Sequence, residues 1–294
     1  MTYILAALAV IPAVIVMLYI RGIDKIEKEP WKLLFSIFLL GALSVIPIMI
    51  AELIVSIPIS IFPEGSLIHG FLQAFVCAAF VEESFKMMVL YLRTWKHKEF
   101  NYVFDGVVYA VFASMGFALV ENILYVFQMG ITTGILRAVT SIPGHMIFGV
   151  FMGMYYGLAK REALLRNESG RKRYMILTWL VPVMLHGIYD FCLMVNSWVM
   201  LLIGIVYYIV LVIYAFRKLS RIRKEDAPLP QETPVPPYPP YPGYPQNPVY
   251  PQNPAYPQNP VYPQNPVYPQ NPVTPQFPQN PPVPPAQDPA DPAN

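Results

Sequence analysis

Residues 67–92 read LIHGFLQAFVCAAFVEESFKMMVLYL, an apolar run long enough to cross a membrane that also carries three charged side chains beyond its middle. A bilayer core about 30 Å thick requires about 20 consecutive apolar residues from a helix. A charged residue at the centre of such a helix costs about 2.5–3.5 kcal/mol even on a lenient insertion scale. The run therefore predicts a transmembrane helix whose Glu82, Glu83 and Lys86 face protein rather than lipid.

Six further apolar stretches of similar length surround this one, and they predict about seven spans in total. Their approximate limits are 3–20, 33–57, 104–128, 135–159, 174–195 and 198–216. The composition agrees, because 55% of the residues are hydrophobic and only 13% are charged, about half the charged fraction of a soluble domain. We therefore expect an all-α, multi-pass bundle in the cell membrane, with the first stretch retained as a span.

The basic residues orient this bundle. Of the 20 Lys and Arg residues, 18 lie in the loops after the first, third, fifth and seventh spans, and the other loops have none. The positive-inside rule then places the N-terminus outside and the C-terminus in the cytoplasm. Because these residues occupy short loops and form no continuous basic face, nucleic acid is not an expected partner.

A different kind of sequence follows the last span. Residues 1–224 form the predicted membrane domain, whereas residues 225–294 hold most of the 33 prolines and five copies of Tyr-Pro-Gln-Asn-Pro-Val/Ala between Tyr244 and Val273. Proline removes backbone donors and fixes φ, so neither helix nor sheet propagates. We expect a disordered, extended cytoplasmic tail that serves as a tether or binds a proline-recognising partner.

Ionisable residues from four predicted spans fall at similar depths, from the midplane outward. They are Glu82, Glu83, Lys86, Glu121, His145, His186 and Asp190. Such residues inside a membrane mark a functional site that faces the bundle interior. On a helix, Lys86 projects between the two adjacent glutamates. His186 and Asp190 are spaced i,i+4, which lets the carboxylate orient the imidazole.

Carboxylates beside histidines suit amide hydrolysis. A glutamate can take a proton from water, and a histidine can orient that water or support the oxyanion of the tetrahedral intermediate. The sequence has no Gly-x-Ser-x-Gly elbow and no His-Glu-x-x-His pattern. We expect no cofactor. Zinc is the alternative, with His145, His186 and either Glu82 or Glu83 as three ligands beside an open position for water.

The same residues resemble the motifs of the PrsW family of membrane proteases. Glu82-Glu83-Ser-Phe-Lys86 is similar to the family's Glu-Glu-x-x-Lys motif. The other matching pieces, in chain order, are Asp105-Gly106 with Tyr109, Gly116-Phe117-Ala118 with Glu121-Asn122 and Tyr125, Arg137 with His145, and His186-Gly-Ile-Tyr-Asp190. The resemblance covers about residues 75–195. Its motif plan is similar to that of CAAX-processing and bacteriocin-processing membrane proteases, which are regarded as glutamate-type peptidases.

This resemblance implies an intramembrane endopeptidase that cuts a single-span membrane protein by means of a glutamate-activated water. The family's best-known role is the first, extracytoplasmic cut of an anti-sigma factor, which releases a stress response. The implied catalytic residues are Glu82, Glu83, His145 and His186, with Lys86, Glu121, Asn122 and Asp190 in supporting positions. Which glutamate is the base stays open.

Two other functions use the same polar cluster. A proton-coupled transporter would employ it as a relay, and a non-catalytic scaffold would need it only for packing. Glu52 and Arg137 lie near the outer membrane boundary, where we expect them to snorkel toward water. Gly149, Gly153 and Gly157 recur every four residues and predict close helix packing.

Overall fold

A computed structural model of the protein describes residues 2–231, and that range is helical almost throughout. It contains ten α-helices and one π-helical segment, and its only β-type pairing is an isolated bridge between Tyr102 and Pro228. In chain order the elements are α1 Thr2–Ile23, α2 Trp31–Leu43, α3 Val45–Ile59, α4 Leu67–Phe71, the π-helical segment Leu72–Ala79, α5 Phe80–Thr94, α6 Val103–Met129, α7 Ile131–Val139, α8 Ser141–Leu164, α9 Glu168–Met194 and α10 Trp198–Lys224.

Long apolar helices confirm the predicted all-α, multi-pass membrane protein. Among the described residues, six helical rods are long and apolar enough to span a bilayer, with α2–α3 and α7–α8 each counted as one rod. The remaining predicted span is the helical stretch Leu67–Thr94, whose apolar pattern is interrupted by the charged residues of α5. Which end of each rod faces the cytoplasm stays a prediction.

The most extensive helix contact joins α6 and α8 at the centre of the bundle. A Cβ atom added at Gly106 would lie 2.6 Å from the carbonyl oxygen of Gly153 and 2.9 Å from the backbone nitrogen of Gly157. Small residues at such a crossing let two backbones approach directly. The four-residue glycine repeat therefore packs as predicted, and α6 is the most buried of the long helices.

The π-helical segment packs against α3 and α9 and leads directly into α5. The thiol of Cys77 lies 3.4 Å from the backbone oxygen of Glu52 on α3, and Phe75 packs so closely on Gly187 of α9 that a Cβ there would overlap its ring. A π-turn inserts an extra residue and rotates the helix that follows, and such turns are frequent at functional sites. Here the rotation fixes which side of α5 faces the centre.

Buried carboxyl groups collect at the end of the bundle that carries the basic loops. Asp24 and Glu29, in the loop between α1 and α2, and Asp105, at the start of α6, are at most 3% exposed. Asp105 accepts hydrogen bonds from the backbone nitrogens of Asn101 and Tyr102 at 2.9 and 2.7 Å. One oxygen of Asp24 has no hydrogen-bond partner, so the burial of this carboxyl group is not fully compensated.

The first residues of the predicted tail pack against this same end. Asp226 accepts a hydrogen bond from the backbone nitrogen of Phe104 at 3.1 Å, and the backbone nitrogen of Leu229 donates to the oxygen of Asn101 at 2.6 Å. The side chain of Leu229 is buried in the main hydrophobic core. The hexapeptide repeats lie outside the described residues.

Substituting Gly153 tests the central helix contact. We expect Gly153→Ala to lower the free energy of unfolding by about 1–3 kcal/mol, because the new methyl group meets the backbone of Gly106 and Val107. Gly22→Ala is the matched control, since a Cβ there meets nothing within 4 Å. Thermal unfolding in detergent micelles measures both, and equal melting temperatures would contradict the packing described.

The buried loop carboxyls predict a dependence of stability on pH. Burial, followed by the nearby charge of Asp226, raises the pKa of Asp24 from 3.8 to about 6. Burial likewise raises the pKa of Glu29 from 4.5 to about 7. Between about pH 4 and pH 7 the folded protein therefore binds more protons than the unfolded chain, so its stability falls as the pH rises through this window.

Replacing Asp24 by its neutral isostere removes part of this effect. We expect Asp24→Asn to melt at a higher temperature than wild type at pH 8 and to lose that advantage as the pH falls to 5. The exposed Glu225→Gln is the control and leaves the pH profile unchanged. A lower melting temperature for Asp24→Asn at pH 8 would show that the carboxylate is stabilised rather than penalised there.

Candidate active site

A cavity of about 830 Å³ lies within the helical bundle. The acidic, basic and histidine side chains of its lining come from six helices, α3 and α5 to α9. These lining residues are Glu52, Glu82, Glu121, Arg137, His145, His186 and Asp190. The rest of the wall is largely apolar, with Phe117 and Phe148 among its members. Polar groups that converge in an otherwise apolar cavity are typical of a ligand or active site.

An ammonium group holds the two adjacent glutamates of α5. The Nζ atom of Lys86 donates to Glu82 Oε2 and to Glu83 Oε1, both at 2.8 Å. All three side chains are buried. Their i,i+4 and i,i+3 spacings bring them together on one turn, as the sequence predicts. Lys86 also lies 4.2 Å from the centre of the Phe117 ring.

The two glutamates differ in their access to the cavity. Glu82 lines it, whereas Glu83 is 0% exposed and does not. The second oxygen of Glu83, Oε2, is buried with no hydrogen-bond partner. Of the two carboxylates, Glu82 therefore borders the cavity, whereas Glu83 contacts Lys86 and His186.

His186 is held between carboxylates on both sides. Its Nδ1 atom lies 3.0 Å from Glu83 Oε1, and its Nε2 atom lies 3.2 Å from Asp190 Oδ2. An imidazolium satisfies both contacts, because each nitrogen then carries a proton. The ring also stacks on Phe148, with 4.8 Å between the ring centres. The predicted pairing of His186 with Asp190 is present, and the ring orientation is fixed.

His145 connects the Lys86 cluster to a second one. Its Nδ1 atom lies 3.4 Å from Lys86 Nζ, and its Nε2 atom lies 3.0 Å from Glu121 Oε2. Because an ammonium has only donors, Nδ1 is the acceptor and Nε2 carries the proton donated to Glu121. This hydrogen-bond pattern assigns a single tautomer to His145.

Arg137 pairs with Glu121 instead of snorkelling toward water, so that expectation is wrong. Its Nη2 atom lies 2.6 Å from Glu121 Oε2, and its Nε atom donates to Asn122 Oδ1 at 3.0 Å. The guanidinium also covers the ring of Tyr125 at 4.1 Å. Asn122 is turned away from the cavity and donates to the backbone oxygen of Ala9 in α1 at 3.0 Å. Asn122 therefore ties helices together and does not face a substrate.

The structure brings the predicted ionisable residues into one connected set. Glu82, Glu83, Lys86, Glu121, His145, His186 and Asp190 are joined by the contacts given above. Sequence reasoning did not place Glu52 in this site. The signal in the sequence is its position within the predicted span 33–57, but its place in the outer part of that span predicts a location near the membrane surface.

A metal ion fits the donor chemistry of this site but not its present arrangement. Glu82, Glu83 and His145 each offer a ligand atom within 4.8 Å of the others. The Lys86 ammonium already contacts these same three side chains, at 2.8, 2.8 and 3.4 Å. The zinc set considered from sequence included His186, which is not in this group and has both nitrogens engaged.

Known proteins resemble much of this chain in sequence. A family model described as "PrsW family intramembrane metalloprotease" matches residues 29–215. A protein named Protease PrsW from Clostridioides difficile is 39% identical over 211 residues, covering 69% of this chain and 85% of its own length. The Protease PrsW from Oceanobacillus iheyensis is 41% identical, and the match covers 62% of this chain and 79% of that protein. The one from Bacillus subtilis is 32% identical, and the match covers 64% of this chain and 82% of that protein. No solved structure matches the chain.

The buried ion cluster predicts a large effect when its cation is removed. Lys86→Met removes the cation that contacts both Glu82 and Glu83 and leaves them only His186 in a low-dielectric interior, and we expect a loss of about 3–5 kcal/mol in unfolding free energy. The triple variant Glu82→Gln, Glu83→Gln, Lys86→Met should recover most of that loss, since no charge is then stranded. Thermal unfolding in micelles measures both, and a mild effect of Lys86→Met alone would contradict the cluster.

Proposed function

From the premise that the chain belongs to the PrsW family of intramembrane proteases, we propose that it is an endopeptidase that uses Glu82 to activate water. The observation that carries this proposal is the position of Glu82. It lines a membrane-embedded cavity while its oxygen is held by Lys86 at 2.8 Å. An ionised carboxylate fixed beside an enclosed space is suited to take a proton from water.

The proposed reaction uses only side chains of the cavity and its wall. Glu82 takes a proton from a water, whose oxygen attacks the carbonyl carbon of the scissile peptide bond. The Nε2–H group of His186, which contacts Asp190 at 3.2 Å in the absence of substrate, turns to the developing oxyanion when substrate is bound. As the carbon–nitrogen bond breaks, the proton held by Glu82 passes to the leaving amine. Glu83, Lys86 and the pair of His145 with Glu121 keep these groups oriented and charge-balanced.

The proposed substrate is a single-span membrane protein cut on the extracytoplasmic side. Gln128, Leu136, Met194 and Leu201 line the cavity at helix ends that lie away from the basic loops. By the positive-inside rule this is the outer half of the membrane. From the family resemblance we further propose that the substrate is an anti-sigma factor and that its cleavage releases a stress response. The transporter and scaffold alternatives have no such support, because the relatives named above are proteases.

A zinc-dependent mechanism is the second candidate, favoured by the printed description of the family model and by the grouping of Glu82, Glu83 and His145. We propose the metal-free route because the Lys86 ammonium supplies positive charge at the place where a metal would bind. If a metal were bound, Lys86 would have to move away from both carboxylates. The metal would then polarise a water molecule beside them.

Cleavage of a reporter tests this proposal. The full chain is reconstituted in liposomes with a single-span reporter, and the products are identified by mass. We expect Glu82→Gln to reduce cleavage by about 100-fold or more, in line with the loss of a general base. Glu83→Gln and His186→Ala should also reduce it strongly, whereas the exposed Glu168→Gln should not.

Two results would contradict the proposal. Undiminished cleavage by all three site variants, each verified as folded by thermal unfolding, would remove these residues from the reaction. Loss of wild-type cleavage on treatment with a strong chelator, followed by recovery with zinc, would replace the metal-free route by the zinc-dependent one. We expect chelation to leave the rate unchanged.

A further inference from the structure

Five carboxylates belong to the site, and four of them have a cationic or imidazole partner. Glu82 and Glu83 contact Lys86, Glu121 contacts Arg137, and Asp190 contacts His186. The fifth is Glu52 on α3, which lines the same cavity. Within residues 2–231 its carboxylate takes part in none of the ion pairs or hydrogen bonds of the site.

The cations around the cavity are already committed to other groups. Lys86 is shared by two glutamates, and Arg137 is held by Glu121 and Asn122. Glu52 therefore presents an uncompensated carboxyl group to a space of about 830 Å³ inside a membrane protein. A lone ionisable group in this setting favours a function that brings its partner from outside.

Glu52 lies on a side of the cavity whose apolar lining residues are accessible. Met49 on α3 and Leu201, Ile205 and Ile209 on α10 line the cavity and are 47–52% exposed. In the proposed function, a substrate segment enters between α3 and α10 and passes Glu52.

We propose that Glu52 selects substrates carrying a lysine or arginine close to the scissile bond. This inference rests on the proposed function. A basic side chain in the outer half of the membrane and an unpaired carboxylate in the cavity each carry a desolvation penalty, and the two are relieved together when they pair. A neutral side chain gives Glu52 no counter-ion, and an acidic one forms no ion pair with it.

The selection is separable from the chemistry. Glu52 makes no direct contact with Lys86, His145 or His186, so neutralising it leaves the hydrogen bonds among those groups in place. Its backbone oxygen, which faces the Cys77 thiol at 3.4 Å, is retained in any side-chain variant. The effect of a substitution should therefore appear as a changed preference between substrates.

A set of single-span reporters tests the preference. Lysine, glutamine or glutamate is placed in turn at each of the positions flanking the cut, and the ratio of kcat/KM between reporters is measured for each enzyme variant. At one position or a small group of positions, wild type should prefer lysine over glutamine by about tenfold or more, as expected for a desolvated charge pair. Glu52→Gln should bring that ratio close to one, and Glu52→Lys should favour the glutamate reporter.

The matched control is Glu64→Gln, which neutralises an exposed carboxylate in the outer loop after α3. It should keep the wild-type ratio. Wild-type cleavage without a preference for lysine at any position, or an unchanged preference in Glu52→Gln, would overturn the proposal for Glu52 and leave the protease assignment intact.

A binding measurement separates this proposal from the protease assignment. A carbodiimide that activates carboxyl groups is applied to the reconstituted protein with the lysine reporter, and amide cross-links are mapped by mass spectrometry. We expect a cross-link between Glu52 and the reporter lysine that is absent in Glu52→Gln and present in Glu64→Gln. Its absence in wild type would overturn the proposal even where no cleavage occurs, whereas failed cleavage with the cross-link present would count only against the protease.

Discussion

The ammonium group of Lys86 makes the rest of the site possible. Two adjacent glutamates on one helix would repel each other and lose their hydration inside a membrane. Lys86 contacts both of them at 2.8 Å from the next turn of α5 and also approaches His145 on α8 at 3.4 Å. Through Glu83 the same cluster fixes His186 on α9. One cation therefore sets the positions of polar groups on three helices.

The surrounding helices enclose most of this cluster but leave Glu82 in contact with the cavity. Glycine contacts bring α6 and α8 together at the centre, and the π-helical segment sets the rotation of α5. Glu83 is thereby enclosed while Glu82 reaches the cavity. The cavity extends toward the helix ends opposite the basic loops, and the proposed substrate would reach Glu82 from that side. Access to the cavity is the reason for proposing Glu82, rather than Glu83, as the base.

Features that depend on local sequence could be predicted, and features that depend on packing between helices could not. The spans follow from apolar length, and the contacts of Lys86 with Glu82 and of His186 with Asp190 follow from i,i+4 spacing. The pairing of Arg137 with Glu121 could not be read from the sequence, since the two lie 16 residues apart on different helices.

The same limit explains the other residues that the sequence left unplaced. The π-turn depends on how residues 72–79 pack against α3 and α9, so the choice between Glu82 and Glu83 stayed open. Glu52 was interpreted from its distance to the end of a span, which says nothing about the cavity beside it. Asp24 and Glu29 look like ordinary loop residues, and only the approach of α6 and of the segment after α10 buries them.

Solid-state NMR of isotopically labelled protein in lipid bilayers measures directly whether Lys86 joins the two carboxylates inside the bundle. The Lys86 Nζ signal is assigned by its loss in Lys86→Arg. We expect through-space correlations from Lys86 Nζ to the carboxyl carbons of Glu82 and Glu83, and slow exchange of the Lys86 Nζ protons with water. A Lys86 signal without these correlations, in rapid exchange with solvent, would show that Lys86 does not hold the pair.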